Sequence, residues 1–552
     1  MEHLFSELGH SSLGSAFFSY MEYSTLVAFA ICLLLLLGAR FPLALPLPRV
    51  FPRTKFTTFL EFGLPGGVLL LAVLNFALYL SIPSFRDYGE PVIPILATNL
   101  LNGATVYGSP FDGEEIVGSN YGPLIFLLQA AALLIHPSLW ISKLTGIIFA
   151  SSAIICIFLL AGDITASRRR ALETTALFVA LLSFNLHYWF WNRPDSALIA
   201  LVALATIAHN RLTPSKSLMM VGLLAGLSIN LKLFAAIYFL PFAAASASRL
   251  TLSQFVRAAT IGGLLFFVVL IFPFLLYGFR YTSYIENILV MRKQGLAFTD
   301  MFPALSYAAL ILLIPLNSYM RRQAFFENKI LMRTMIFSTI LIAVAAGKPG
   351  GGAIYMMPFV PMAIYLALRF GQSPVEGKPI AESDEVRLLI CVLLCAFPCW
   401  AYSCYEMSTQ LGPGKEEFAK RSELRDLFSQ FPTAEMGHGS GPRESADEYY
   451  RVQRAFLGQS TLFDYVNYAD QRRAGIGIER VRHLFRQCKV PVWIFAKSSG
   501  RFTGQGYGVE LFDDEIRTVF AEKYELTQTK KFYEVWTCKK GSTATSTGKG
   551  QL

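Results

Sequence analysis

The stretch GVLLLAVLNFALYLSIPSFRDYGE, residues 67–90, carries the decisive reading. Its first part, 67–82, holds no charge, and the apolar run that contains it extends back to residue 59. At 1.5 Å of rise per residue a run of that length crosses a bilayer. Arg86, Asp87 and Glu90 then arrive within five residues. A membrane span therefore delivers a carboxylate directly to one membrane surface.

The rest of the chain agrees with that start. Of 552 residues, 54% are apolar and 16% charged, with a mean hydropathy of +0.46. A wholly soluble chain normally carries about a quarter charged residues. Residues 1–404 hold 45 of the 86 charged side chains and residues 405–552 hold 41, so 11% of the first part is charged against 28% of the second. A membrane part of 1–404 followed by a soluble part of 405–540 is expected, and a cytosolic enzyme and a single-span receptor are excluded. The net charge of +10 does not indicate nucleic acid: 405–552 carries 22 basic against 19 acidic groups and lacks a basic stretch interleaved with aromatics. The first 21 residues hold Glu2 and Glu7 but no Lys or Arg, unlike a cleavable signal peptide.

Apolar runs predict about twelve spans, near 23–39, 59–82, 139–161, 171–189, 194–209, 217–230, 233–247, 258–277, 302–319, 330–346, 353–368 and 388–404. The pair flanking Lys232 is short enough to be two half-depth helices. Alternate loops hold 18 of the 26 basic residues of 1–404, Arg168 to Arg170 among them. The positive-inside rule places those loops in the cytoplasm, and so places both termini, segment 83–138 and the tail outside. Within 83–138, residues 93–101 read as a short helix. Pro123 starts a second apolar run too short to cross, which reads as interfacial or re-entrant. The tail reads as a small α/β domain, with helices over 478–488 and 513–523 and strands over 490–496 and 532–538, followed by a disordered Gly/Ser/Thr/Lys-rich end, 541–552. Cys488 and Cys538 are the two cysteines of that domain, and in an oxidising compartment they are able to pair. Cys391, Cys395 and Cys399 form a helix stripe without His or carboxylate, which reads as core.

Charges are so scarce in 1–404 that each needs an account. Asp87 is either an ordinary loop start or a base for an acceptor hydroxyl. Asp195, in Arg193-Pro194-Asp195, either caps the following helix or orients a sugar hydroxyl or a phosphate held by Arg193. Lys232 interrupts an apolar stretch at an insertion cost of about 2.5–3.5 kcal/mol, so it either snorkels or meets a functional partner. Lys348 lies in Gly347-Lys348-Pro349-Gly350-Gly351-Gly352, whose backbone N–H groups suit an anion but lack the nucleotide-binding spacing. No HExxH, paired CxxC or GxSxG occurs.

The order of these features resembles the GT-C superfamily of polytopic glycosyltransferases, in its protein mannosyltransferase and lipid A aminoarabinose transferase branch. The resemblance rests on Asp87 after an early span, the Tyr121-Gly122-Pro123-Leu124 helix start, Arg193-Pro194-Asp195, Leu231-Lys232, the Gly347 to Tyr355 loop with Pro358 and Pro361, and the α/β tail. It implies a GT-C-like membrane domain, a polyprenyl-phosphate sugar donor, a glycan, lipid or protein acceptor, and inverting transfer outside the cell inner membrane. Asp87 matches the catalytic acid; the family often has two adjacent acids there, whereas this chain has Glu90 three positions on, which is taken with Asp87 as catalytic. Arg193, Lys232 and Lys348 match donor-phosphate ligands, and Asp195, Tyr121 and Tyr355 substrate contacts. Some members use a divalent cation, Mg or Mn; Asp112, Glu114 and Glu115 are spare carboxylates without ligand spacing, so no metal ligand is assigned.

Two other classes compete. A lipid or solute transporter or flippase would show repeated hydropathy halves and mid-span charges, which this sequence lacks. A polysaccharide polymerase or ligase would use the same lipid carrier.

Overall fold

A computed structural model describes residues 55–371 and 415–539, apart from 88, 113–114, 186–187, 322–325, 440–450, 498–499 and 507–508, together with residues 396, 399, 400, 403, 404 and 407. The expected span 23–39, nearly all of 388–404, Glu114, Cys391, Cys395 and the tail 541–552 lie outside these. The chain divides into two compact units, each built from stretches distant in sequence.

The first unit comprises Met1–Leu80, Gly146–Leu270 and Leu296–Thr409. Its described part is helical. Among the described residues of the whole chain, six helices are long and apolar enough to cross a membrane: Gly63–Ser81, Leu139–Thr165, Leu252–Leu275, Phe298–Leu316, Asn328–Ala346 and Gly352–Phe370. The chain is accordingly an integral membrane protein. These helices correspond to six of the expected runs.

Four other runs give shorter or less apolar pieces. The run 171–189 ends early, in a helix over Arg168–Ser183. Pro194 then holds Arg193 in extended backbone (φ −137°, ψ 158°) and starts the next helix, Pro194–Arg211. The run interrupted at Lys232 is a helix over Pro214–Ile229, a break at Leu231 and Lys232, a 3-10 helix over Leu233–Phe239 and a last short helix, Leu240–Ala247.

The second unit comprises Ser81–Thr145, Ile271–Gly295 and Gln410–Leu552. Its centre is a four-stranded sheet in the order β1-β2-β6-β5, with β1 Glu435–Met436, β2 Val492–Ala496, β5 Tyr524–Thr529 and β6 Tyr533–Cys538; a separate two-stranded ribbon joins β3 Gln505–Gly506 to β4 Val509–Glu510. β1 runs parallel to β2, while β6 is antiparallel to both β2 and β5. All five residues of β2 are buried, and their sides alternate. Trp493 and Phe495 join a cluster with Phe485, Phe502, Phe520 and Tyr524, while Val492, Ile494 and Ala496 join Leu424, Leu427, Phe428 and Val535. Helices therefore cover both faces, which is why VWIFA is continuously apolar. Cys488 and Cys538 are joined by a disulfide that spans 50 positions of sequence.

The first-loop segment is part of this same unit. Helix Val92–Leu101 packs on helix Pro123–Ile135 and on Val452–Phe456. Ile116 forms a parallel bridge with Phe463, through Ile116 N–H to the Leu462 carbonyl at 2.7 Å and Asp464 N–H to the Ile116 carbonyl at 2.6 Å. Asn99 donates to the Thr461 carbonyl at 3.0 Å and accepts its N–H at 2.8 Å. Helix Tyr281–Lys293 is bonded in through Asn287, which donates to the Gly108 carbonyl at 2.9 Å.

Candidate functional site

Asp87, Glu90 and Tyr121 lie together in the second unit, and Arg193, Asp195, Lys232 and Tyr355 in the first. In the second unit the chain leaves helix Lys55–Ser81 and turns through residues 82–90. The turn is closed by Glu90, whose Oε2 accepts the N–H of Arg86 at 2.8 Å and of Asp87 at 3.2 Å. The Glu90 N–H in turn donates to the Asp87 carbonyl at 3.2 Å. Glu90 is fully buried, whereas Arg86 and Asp87 each retain 9% exposure. The Asp87 carboxylate lies against Gly89, where an added Cβ would stand 3.3 Å from its Oδ2 and 3.8 Å from the Tyr121 hydroxyl. The Asp87 carboxylate and the Tyr121 hydroxyl thus both lie beside Gly89.

Tyr121 is held from behind. Tyr107 donates its hydroxyl to the Tyr121 carbonyl at 2.7 Å. Burial, with the Tyr284 hydroxyl beside it, keeps the Tyr107 phenol well above its ordinary pKa, so it serves as a donor.

The sequence reading missed Lys143. It is fully buried in helix Leu139–Thr165 and donates to the Ile82 carbonyl at 2.8 Å. Glu90 contributes a negative charge acting on it, Arg86 and Arg421 positive ones. The signal was present, because Lys143 is a lone charge inside an apolar run, as Lys232 is.

In the first unit, Asp195 and Lys232 meet. Lys232 Nζ donates to Asp195 Oδ1 at 2.7 Å, and the two side chains are 4% and 2% exposed. Snorkelling is thereby overturned, since the ammonium points inward to a carboxylate. Helix capping by Asp195 is overturned as well. Arg193 is the N-cap, no side-chain cap bond forms there, and Asp195 sits inside the first turn. Arg193 Nε lies 3.7 Å from Asp195 Oδ2. That oxygen is buried and makes no hydrogen bond among the described residues.

The ammonium of Lys232 also stands 4.4 Å from the centre of the Tyr355 ring, within cation–π range. Tyr355 is fixed by the Tyr238 hydroxyl, which donates to its carbonyl at 2.7 Å, and by the Phe234 ring at 4.7 Å. The 3-10 helix Gly352–Phe359 carries Tyr355. The turn before it holds Lys348 and has positive φ at Gly350 (76°) and Gly352 (79°), conformations that side chains resist. Its Gly351 N–H closes back on the Lys348 carbonyl at 2.8 Å.

Among the described residues no three His, Cys, Asp or Glu side chains come together to hold a metal ion. Asp112 faces the partly buried Arg480, which donates to the Glu115 carbonyl at 2.8 Å.

No family model and no curated protein matches the sequence. Solved structures do match. ArnT from Cupriavidus metallidurans bound to undecaprenyl phosphate aligns with a TM-score of 0.52 at 10% identity, over 87% of this chain and 99% of that one. The apo state of the same ArnT gives 0.52 at 11% identity, with the same coverage. Arabinosyltransferase EmbB from Mycobacterium smegmatis matches with a TM-score of 0.40 at 12% identity, over 79% of this chain and 46% of that one, too low a score to carry an argument. The chain shares the overall fold of ArnT.

Proposed function

We propose that this protein is a membrane glycosyltransferase that moves a sugar from a polyprenyl-phosphate donor to a glycan, lipid or protein acceptor, with inversion, on the extracytoplasmic side of the cell inner membrane. In this reading the membrane part has about twelve spans, and the α/β region 405–540 lies outside with the first loop. The observation that carries the proposal is the Asp87 carboxylate, buried to 9% exposure at the exit of a span and bordered by the Tyr121 hydroxyl. The ArnT fold, seen elsewhere with undecaprenyl phosphate bound, supports the choice of donor.

In the proposed reaction Asp87 takes the proton of the acceptor hydroxyl as that oxygen attacks the anomeric carbon. The bond from that carbon to the phosphate oxygen breaks, and polyprenyl phosphate leaves as the anion. Arg193 and Lys348 are the side chains proposed to meet the phosphate. Lys232 is given a different part from the one its sequence position implied: its charge is committed to Asp195, so it holds Asp195 and Tyr355 toward the substrate. Glu90, whose Oε2 accepts the N–H groups of Arg86 and Asp87, shapes the loop rather than handling a proton.

Purified protein given a polyprenyl-phosphate donor with a labelled sugar should release the label onto an acceptor or water, with one polyprenyl phosphate formed per sugar lost. Translocation of the intact donor in vesicles, without cleavage, would favour a flippase and overturn the proposal. The same assay with and without EDTA settles whether Mg or Mn takes part.

A further inference from the structure

The loop that presents Asp87 is tied at both ends by buried charges that belong to neither substrate nor solvent. At its start, Lys143 Nζ holds the Ile82 carbonyl at 2.8 Å. At its end, Glu90 Oε2 holds two successive backbone N–H groups, those of Arg86 and Asp87. Both side chains are fully buried. A carboxylate or ammonium so placed is costly without an opposite charge, and each lies in the other's field. Glu90 is fully buried and its Oε2 faces the main chain. The space above Asp87 is also tight, since a Cβ at Gly89 would stand 3.3 Å from its carboxylate. The backbone at 86–87 thus determines where that carboxylate points.

We infer that Glu90 and Lys143 are positioning residues, which fix the 82–90 loop and so aim the Asp87 carboxylate without touching the substrate. This rests on the reading of Asp87 as the base. Misplacement of a reacting group by about 1 Å costs about 100-fold in rate. Glu90→Ala should therefore lower kcat by about 100-fold while moving the donor KM by less than about threefold. Glu90→Gln keeps an oxygen for both N–H groups and should stay within about tenfold of wild type. Lys143→Arg should be milder than Lys143→Met for the same reason.

The test pairs turnover with hydrogen exchange on the full-length purified protein. Amides in 82–90 should exchange faster in Glu90→Ala and Lys143→Met, and at the wild-type rate in Asp87→Asn. A Glu90→Gln protein as inactive as Glu90→Ala would overturn the inference, because Glu90 would then handle a proton itself. So would wild-type exchange over 82–90 in Glu90→Ala. Wild-type turnover in Asp87→Asn would sink the reading of the base alone, and the exchange comparison would still decide whether the loop is held as described.

Discussion

Each unit buries a lysine and a carboxylate, but it satisfies them differently. In the first unit Lys232 and Asp195 meet side chain to side chain at 2.7 Å, over the Tyr355 ring. In the second unit Lys143 and Glu90 each hold main-chain groups of the 82–90 loop. The first arrangement is a bond between two residues, so losing one strands the other. The second shapes a stretch of backbone, so losing one loosens a loop. Under the proposed function the first pair belongs to the donor site, and the second aims the Asp87 carboxylate.

The largest expected effect on stability comes from breaking the first arrangement. Lys232→Met leaves Asp195 buried opposite Arg193 alone and should cost about 3–5 kcal/mol, measured by thermal unfolding in detergent. The double variant Lys232→Met with Asp195→Asn should recover most of that loss and still bind donor poorly. Equal instability of single and double variants would refute the pairing. Next in size is the disulfide. Replacing Cys488 and Cys538 by Ser frees a loop of about 50 residues and should cost about 2–4 kcal/mol in the second unit. Tyr355→Leu removes the cation–π contact and should cost about 1–2 kcal/mol, with a larger effect on donor KM than on folding.

The smallest effect is a pH dependence confined to the second unit. Glu435 and Asp464 are buried there, and burial holds both carboxyls above their ordinary pKa, although Arg454 and Arg451 pull the other way. The folded state then keeps these protons to a higher pH than the unfolded chain does. Stability from them falls as pH rises from the ordinary carboxyl range through the raised values. Glu435→Gln should flatten part of that slope in a series of melts from pH 4 to 8.

How much of this could be read beforehand follows from how local each signal is. β2 was legible because a strand covered on both faces must be continuously apolar, as VWIFA is. Lys232 stood out as a charge in hydrocarbon. Its partner did not, because Asp195 lies 37 positions earlier and packing, not sequence, brings them together. Lys143 carried the same signal as Lys232 but sits near the start of its run, where a charge looks like an ordinary flank. Near the early end of the run 171–189, Asn185 is the one local signal, a residue that competes with the helix for backbone hydrogen bonds. The assembly of the second unit from three separated stretches had no local trace. The Ile116 to Phe463 bridge is made by backbone groups that every residue carries.

The central claim is that Asp87 performs the proton transfer. The most direct measurement is turnover of purified Asp87→Asn with a polyprenyl-phosphate sugar donor at saturating concentration, alongside its donor affinity and folded yield. The account predicts transfer reduced by about 1,000-fold or more, with affinity and yield unchanged, as loss of a general base dictates. Turnover near that of the wild type would contradict it.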